Sequence, residues 1–445
     1  MSLYNIICKN IIMPVTDVIT GYSFNSSLKL LEKSQFWDKD TIRNYQNSLL
    51  IKLLKEANGI EYYQELFKRI SFNINELKSQ EDLKFIPILT KKTIKEYGIK
   101  CFTNTAKIKS DCLLSSSSGS TGEPLFYHIS KKAYSINIAS NIRGWQWMGY
   151  KMGDKFIKLS QNPRNRLIKK IQDIILRNNY ISINPINNDT FESIVNSICK
   201  FNPKFIRCYP DPLFLFTRYV KDMKFNDFVS IRAINTTGNT LFEGTRKEIE
   251  EVFNLKIFDS YSCEGTPTAF ECNTHDHYHF ADEYGIVEVL DDNNNPVTEG
   301  IGRLISTDLW NYAHPFIRYD TQDLVEISNE RCVNGIQLKQ IKKIIGRSND
   351  ILKLKNGTYL IVHNFTGFFQ TDHPELKRSI LRFQVIKRGS SIVFNLVVNE
   401  NYDTTVESFI LKYWEKITDC SIRCNLVEKF DFTKSGKHRF IINED

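Results

Sequence analysis

The sequence predicts an α/β protein with a large N-terminal domain and a small α+β C-terminal domain, on three observations. The chain has 445 residues, too many for one ordinary core. Short apolar or β-branched segments alternate with helical ones through its middle third, which points to layers built on largely parallel sheets. From about residue 283 the pattern changes to strand, turn, strand, and from about residue 350 to a hairpin and a helix.

The elements follow in chain order. Residues 36–70 carry helical periodicity, with Ile42, Leu49, Leu53 and Leu54 on one stripe that ends at Ala57, just before Gly59. Pro87 precedes TKKTIKEYG, a turn and a short helix begun by Thr90. A serine- and glycine-rich stretch occupies 115–122, and residues 132–150 read as a helix ending at Gly149. Strand-like segments at 155–159, 205–208, 233–236 and 255–258 are separated by helical stretches such as 189–200 and 242–253. YGIVEVL, DDNNNPVTEG and IGRLIST then read as strand, turn, strand and open a β-rich lobe. Residues 381–398 form a hairpin about Gly389 and Ser390, and 404–417 are helical.

Composition bounds the function. Hydrophobic residues make up 41% and charged residues 25%, the balance of a globular chain, and 30 Phe and 20 Tyr supply apolar area to bury. The 59 Lys and Arg against 51 Asp and Glu leave a formal charge of +8. That excess is spread out and forms no basic block with interleaved aromatics, which argues against nucleic acid and suits a small anionic substrate. The 10 Cys include no CxxC pair and no disulfide-like spacing, so reduced thiols and a cytoplasmic location are expected. Lys9, Asn10, Pro14 and Asp17 interrupt the apolar N-terminus, against a signal peptide, and no run is long enough to span a membrane.

The sharpest local signal is LLSSSSGSTGEPL at 113–125. Gly119 and Gly122 allow a tight turn and close approach to a ligand. Successive N–H groups there, with the hydroxyls of Ser117, Ser118, Ser120 and Thr121, make a concavity suited to polyphosphate. The stretch lacks the GxxxxGK[ST] of the common nucleotide loop. A bare serine-glycine run would read more readily as a polar linker, but this one stops at Pro124 and enters the strand-like LFYHIS.

SSGSTGEP resembles the phosphate loop of the adenylate-forming superfamily, which comprises acyl-CoA synthetases, peptide-synthetase adenylation domains and luciferases. Further segments resemble its motifs in the same order. INTTGN at 234–239 resembles the strand and turn beside adenine and brings in Gly238 and Asn239. FDSYSCEG at 258–265 resembles the aromatic-to-glutamate motif. It implies Glu264 as a Mg²⁺ ligand and either Ser260 or Tyr261 in the aromatic's place, with Tyr261 the chosen nucleotide contact. FIRYDTQDL at 316–324 implies that Asp323 holds the ribose hydroxyls. IGRSNDIL at 345–352 implies Arg347 near ribose and phosphate and a hinge at Asn349. TKSGKHR at 433–439 implies a catalytic lysine at Lys437. WQWMGYKMGDKF, LLKEANGIEYYQELF and FIPILTKKTIKEYG resemble the phenylacetate–CoA ligase and CapK-type branch, some of whose members are associated with capsular polysaccharide genes. Glu123 stands where the loop commonly has lysine, Ser262 near the family's glycine, Gln322 where a glycine precedes the aspartate, and Asn349 where the hinge usually has Asp or Lys.

The resemblance implies a large ATP- and acid-binding domain at 1–346 and a small mobile domain with the hinge at 347–445. It implies ATP-dependent activation of a carboxylic acid as an acyl-adenylate, release of pyrophosphate and transfer to the thiol of CoA. An amine or a carrier-protein thiol is the alternative acceptor, in a surface-polysaccharide setting, and a nucleotide-binding partner without catalysis is a further one. The residue types suit the chemistry. Two anions must meet, so positioning and charge neutralisation dominate. One carboxylate such as Glu264 can suffice for Mg²⁺, which keeps several waters. Lys437 can bind the substrate carboxylate and an α-phosphate oxygen together.

One cluster stands apart. Cys272, His275, His277 and His279 offer Zn²⁺ donors in an unfamiliar C-x2-H-x-H-x-H spacing. Alternation would expose the three histidines on one side, as metal ligands or as a polar surface turn.

Overall fold

The computed structural model describes residues 2–444 apart from 117–124, 161–166, 184–187, 226–227, 229, 331, 348–350, 354–358, 362–363, 366–367, 370–372, 419 and 431–439. The first two strands, β1 (Cys112–Ser116) and β2 (Phe126–Ser130), pair antiparallel, so the serine-glycine stretch is carried between regular stems.

Strands β3 (Phe156–Ser160), β4 (Asn178–Ser182), β5 (Phe205–Cys208), β6 (Ala233–Thr237) and β7 (Ile257–Tyr261) run parallel in the order β4-β3-β5-β6-β7. Helices Leu167–Ile175, Asn188–Phe201, Pro210–Asp222 and Glu243–Phe253 connect them. Their short apolar runs are explained by burial on both faces. Phe156, Phe205, Ala233 and Phe258 enter one core, with Trp145 of helix Lys131–Trp147. Their neighbours Ile157, Ile206, Ile234 and Ile257 enter a second core, with Ile194, Phe216 and Ile249.

The β-rich lobe continues the same sheet instead of forming a separate one. Strands β8 (Ala269–Glu271), β9 (Tyr278–Phe280), β10 (Gly285–Leu290), β11 (Ile301–Asp308), β12 (Tyr319–Ile327) and β13 (Gln340–Arg347) complete eleven strands in the order β10-β11-β12-β13-β9-β8-β7-β6-β5-β3-β4. The switch to antiparallel pairing comes at β7–β8, right after the parallel run. In the turn between β10 and β11, Asp291 Oδ1 accepts the N–H of Asn293 and Asn295, both at 2.8 Å.

The 36–70 region forms two helices, Lys39–Ala57 and Glu61–Arg69, parted near Gly59. Asp38 caps the first, accepting the Thr41 N–H at 2.7 Å. Its buried stripe is Ile42, Gln46, Leu50, Leu53, Leu54 and Ala57; Leu50 takes the place expected of Leu49, which is half-buried. Thr90 caps Lys91–Tyr97 as its side chain accepts the Thr93 N–H. Helices Lys131–Trp147 and Phe24–Ser34 pack together. Gly144 lets the former sit on β8, for a Cβ there would lie 2.2 Å from Cγ of Phe270.

Beyond β13, β14 (Ile351–Lys353) and β15 (Tyr359–Ile361) pair antiparallel. Strands β16 (Ile380–Arg388), β17 (Ser391–Val398), β18 (Ser421–Leu426) and β19 (Ile441–Asn443) form a four-stranded sheet in the order β18-β17-β16-β19. The β16–β17 hairpin turns at Gly389, whose φ is 56°. This sheet, with helix Thr404–Thr418, has its own core around Phe365, Phe369, Phe394 and Trp414, and Phe242 from the larger part also packs into it. Among the described residues no helix is long and apolar enough to cross a membrane.

Candidate active site

Gly238, Asn239, Tyr261 and Glu264 stand at or just beyond the C-terminal ends of β6 and β7, where open α/β sheets place their ligand crevice, and Asp323 reaches Tyr261 from β12. Gly238 follows β6 with φ 86°, and a Cβ there would come within 2.7 Å of the Tyr209 ring. Glycine is therefore required for both its conformation and its space. Beside it, Asn239 Nδ2 donates to Asp211 Oδ2 at 2.6 Å.

Alternation along β7 sends Ser260 and Tyr261 to opposite faces. Ser260 Oγ accepts from Asn235 Nδ2 at 3.1 Å and donates to the Thr236 carbonyl at 2.8 Å. Tyr261 donates its hydroxyl to Asp323 Oδ2 at 2.6 Å. Burial, then the neighbouring Asp323 charge, pushes the Tyr261 hydroxyl well above its ordinary range, so it remains a donor at neutral pH. Of the two aromatic-motif alternatives, Tyr261 is the one joined to Asp323.

A bulge aims Asp323. Arg303 pairs with Leu324 and Ile305 with Asp320, so residues 321–323 lie opposite Leu304 alone. Such an excess bends the strand and redirects a side chain. Gln322 takes φ 63°, a left-handed conformation that costs a non-glycine residue about 1–2 kcal/mol. Local hydrogen bonds offset it: Gln322 N–H to Asp320 Oδ1 at 2.8 Å, Asp323 N–H to Thr321 Oγ1 at 3.1 Å and Thr321 Oγ1 to the Leu304 carbonyl at 2.8 Å. Arg347 is the register partner of Asp323 across β12 and β13, and its side chain lies outside the described residues.

Glu264 follows β7. Its two oxygens face Tyr319 Oη at 3.2 Å and Cys263 Sγ at 3.4 Å. Gly265 then turns the chain with φ 65°, and a Cβ there would lie 2.4 Å from Cγ of Phe316. Its carbonyl accepts the Ser306 hydroxyl at 2.9 Å. Tyr127, on the stem after the serine-glycine stretch, is pushed up to about 12, mainly by burial; a hydrogen bond with Ser115 opposes the rise and the Glu264 charge adds to it. The stem that follows that stretch thus borders Glu264 through Tyr127, and Ser115 of the preceding stem bonds to the same Tyr127. Ser117, Ser118, Gly119, Ser120, Thr121 and Gly122 lie outside the described residues, as do Asn349 and Lys437.

Three residues that sequence reasoning passed over belong to this region. Tyr127 could have been found from the alternation in FYHIS, and Tyr319 from its place in FIRYDTQDL. Arg207 could not, because only the sheet register sets it between Lys158 and Asn235. The Arg207 guanidinium lies 5.6 Å and the Lys158 ammonium 5.0 Å from the Trp145 ring. Burial lowers the Arg207 pKa, as expected for a cation with little water around it.

The expected histidine set needs a correction. His277 and His279 share a face, but it is buried rather than exposed. His275 leaves the alternation because its φ is 60°. Its Nδ1 meets the Ile257 carbonyl at 2.9 Å and its ring packs on Phe258 at 4.4 Å. Cys332, distant in sequence, takes its place. Cys272, His277, His279 and Cys332 are all buried, with their ligand atoms within 4.8 Å of one another.

The chain resembles proteins of known family and structure. The CapK C-terminal domain family matches residues 352–444. Protein CapK of Staphylococcus aureus is 26% identical over 400 residues, covering 86% of this chain and 85% of that protein. A phenylacetate-coenzyme A ligase of Thermus thermophilus is 26% identical over 182 residues, 39% of this chain and 41% of that one. Among solved structures, 2-hydroxyisobutyryl-CoA ligase in the postadenylation state, in complex with R3-HIB-AMP, superposes with a TM-score of 0.74 at 15% identity, covering 92% of this chain and 91% of that chain.

Proposed function

We propose that this chain, a CapK homologue with the fold of the adenylate-forming ligases, activates a carboxylic acid with ATP as an acyl-adenylate and passes the acyl group to the thiol of CoA. The observation that carries the reading is the convergence of the Tyr261–Asp323 pair and Glu264 at the C-terminal edge of the parallel strands, with Tyr127 of the stem after the serine-glycine stretch near Glu264.

In this reading the Asp323 carboxylate accepts the ribose hydroxyls, held in place by the bulge and by Tyr261. Glu264 is partly exposed, and its carboxylate oxygens, approached by the Tyr319 phenol and the Cys263 thiol, are hard donors of the kind that fits Mg²⁺. Mg²⁺ bound there would neutralise phosphate charge. The backbone of 117–122 would take the β- and γ-phosphates. Arg207 and Lys158 border the region between the helix Lys131–Trp147 and the sheet, and they suit an acid that carries negative charge.

Residues 352–441 share a core to which only Phe242 of the larger part is added among the described residues, which supports a boundary near residue 347; the hinge is placed at Asn349. Rotation there would bring Lys437 to the nascent adenylate and then remove it for the second half-reaction. None of the ten cysteines is in a disulfide, which supports a reducing compartment, the cytoplasm.

The test is pyrophosphate exchange over a panel of carboxylic acids. The wild-type chain should exchange with at least one acid, and Lys437→Ala should abolish exchange while leaving ATP binding largely intact. Unchanged exchange in the variant removes Lys437 from the mechanism. ATP binding without exchange over the whole panel would favour a non-catalytic partner. Trapping the product with CoA, amines or a carrier protein identifies the acceptor.

A further inference from the structure

We propose that Cys272, His277, His279 and Cys332 form a structural zinc site, separate from the adenylation chemistry, that fastens the β8–β9 hairpin to the loop leading into β13. A tetrahedral zinc with ordinary bond lengths separates two sulfurs by about 3.8 Å, two nitrogens by about 3.3 Å and a sulfur from a nitrogen by about 3.6 Å. Cys272 Sγ lies 3.8 Å from Cys332 Sγ and 3.9 Å from His277 Nε2, and His277 Nε2 lies 3.0 Å from His279 Nε2. Each of the three separations falls within a few tenths of an ångström of that geometry.

The chemistry selects the ion. Two thiols and two imidazoles are donors for zinc, whereas magnesium and calcium require oxygen. Four protein donors close the coordination sphere and leave no place for a reacting water, the mark of a structural rather than a catalytic site. The surroundings fit the same role. Asn334 Nδ2 points at Cys272 Sγ from 3.5 Å. The Asp276 carboxylate lies against Nδ1 of His277, although not along a formed N–H···O bond. Such outer contacts orient metal-bound imidazoles. A disulfide would need the sulfurs at about 2.0 Å, far closer than they are.

The position gives the site a task. Cys332 and Cys272 share a small apolar cluster with Ile42, Ile336 and Leu338, and Trp37 and Trp147 pack against it. His279 is the register partner of Gln340, the first residue of β13. Zinc would therefore secure the point where β13, which runs on to Arg347, joins β9. The chain ends it ties together, near 272–279 and near 332, are about 60 residues apart, so the metal would close a long loop.

The test is the metal content of the full-length chain, purified with reductant and without chelator and then exposed to ZnCl₂. About one zinc per chain is expected, and its removal should lower the Tm. Cys332→Ser and His277→Asn should lose the metal, and His275→Ala should retain it. Should Cys332→Ser fail to fold, wild-type protein loaded with CoCl₂ decides: a thiolate-to-cobalt charge-transfer band supports the site and its absence overturns it. Zinc well below one per chain, loss of zinc in His275→Ala equal to that in Cys332→Ser, or a Cys272–Cys332 disulfide in the purified protein would each overturn it.

Discussion

Arg143→Met tests how the N-terminal helices are held to the sheet. Arg143 and Glu283 form a buried ion pair, Nη1 to Oε1 at 2.7 Å, with side chains only 2% and 0% exposed. The same guanidinium donates to the Leu31 carbonyl at 3.3 Å and lies over the Trp147 ring at 5.5 Å. Glu283 Oε1 also receives the Ser34 hydroxyl, while its Oε2 has no partner among the described residues. Three segments are thereby tied together: helix Phe24–Ser34, helix Lys131–Trp147 and the turn before β10. Methionine keeps most of the volume and removes the charge, leaving a carboxylate in a dry site. Breaking a buried pair from one side costs about 3–5 kcal/mol, most of it the uncompensated charge. Removing both charges in Arg143→Met/Glu283→Met should cost less than Arg143→Met alone, because no unpaired charge is left buried and the Ser34 hydroxyl can turn to donate to the Leu30 carbonyl instead. Urea unfolding followed by tryptophan fluorescence is the assay, since four of the five tryptophans (37, 145, 147 and 310) precede β14. A cost below about 1 kcal/mol for Arg143→Met, or a double variant equal to the sum of the singles, would refute the reasoning.

Other outcomes follow from the same geometry. Gly265→Ala must accommodate a Cβ 2.4 Å from Phe316 in a left-handed turn, and should lose at least about 2 kcal/mol in thermal unfolding together with most pyrophosphate exchange, because the turn sets Glu264. Asp323→Ala should raise the KM for ATP roughly tenfold or more, and Tyr261→Phe less, since the first removes the charged acceptor and the second only its support. His314 is held down to about 3, first by burial and then by His128, against 6.5 when exposed. As pH falls below 6.5 the unfolded chain takes up a proton that the folded chain refuses, so stability falls by about 1.4 kcal/mol per pH unit. His314→Phe, set among Phe102, Tyr127 and Phe316, should show a shallower loss between pH 6.5 and 5 when unfolding is compared across that range.

Much of this protein was legible in the chain because the signals are local. A cap at Thr90, a turn at Gly389 and apolar runs such as 205–208 and 233–236 act over a few residues, and the elements stand where these cues put them. The order of the motifs likewise named Tyr261, Glu264 and Asp323 without coordinates. The likeness of the fold to that of 2-hydroxyisobutyryl-CoA ligase agrees with the fold so implied.

Tertiary structure decided what depends on residues far apart in sequence. Sheet order joined the α/β region and the β-rich lobe into eleven strands, a pairing that no local period encodes. Register put Arg207 between Lys158 and Asn235, and the bulge at Gln322 turned Asp323 to Tyr261. Spacing alone grouped His275 with His277 and His279, because it assumed regular alternation. One left-handed backbone at His275 broke the alternation, and packing brought in Cys332 from 60 residues away. The sequence by itself determined which chemical groups this protein owns and in what order; only the fold, through long-range pairing and a few positive φ angles, decided which of them meet.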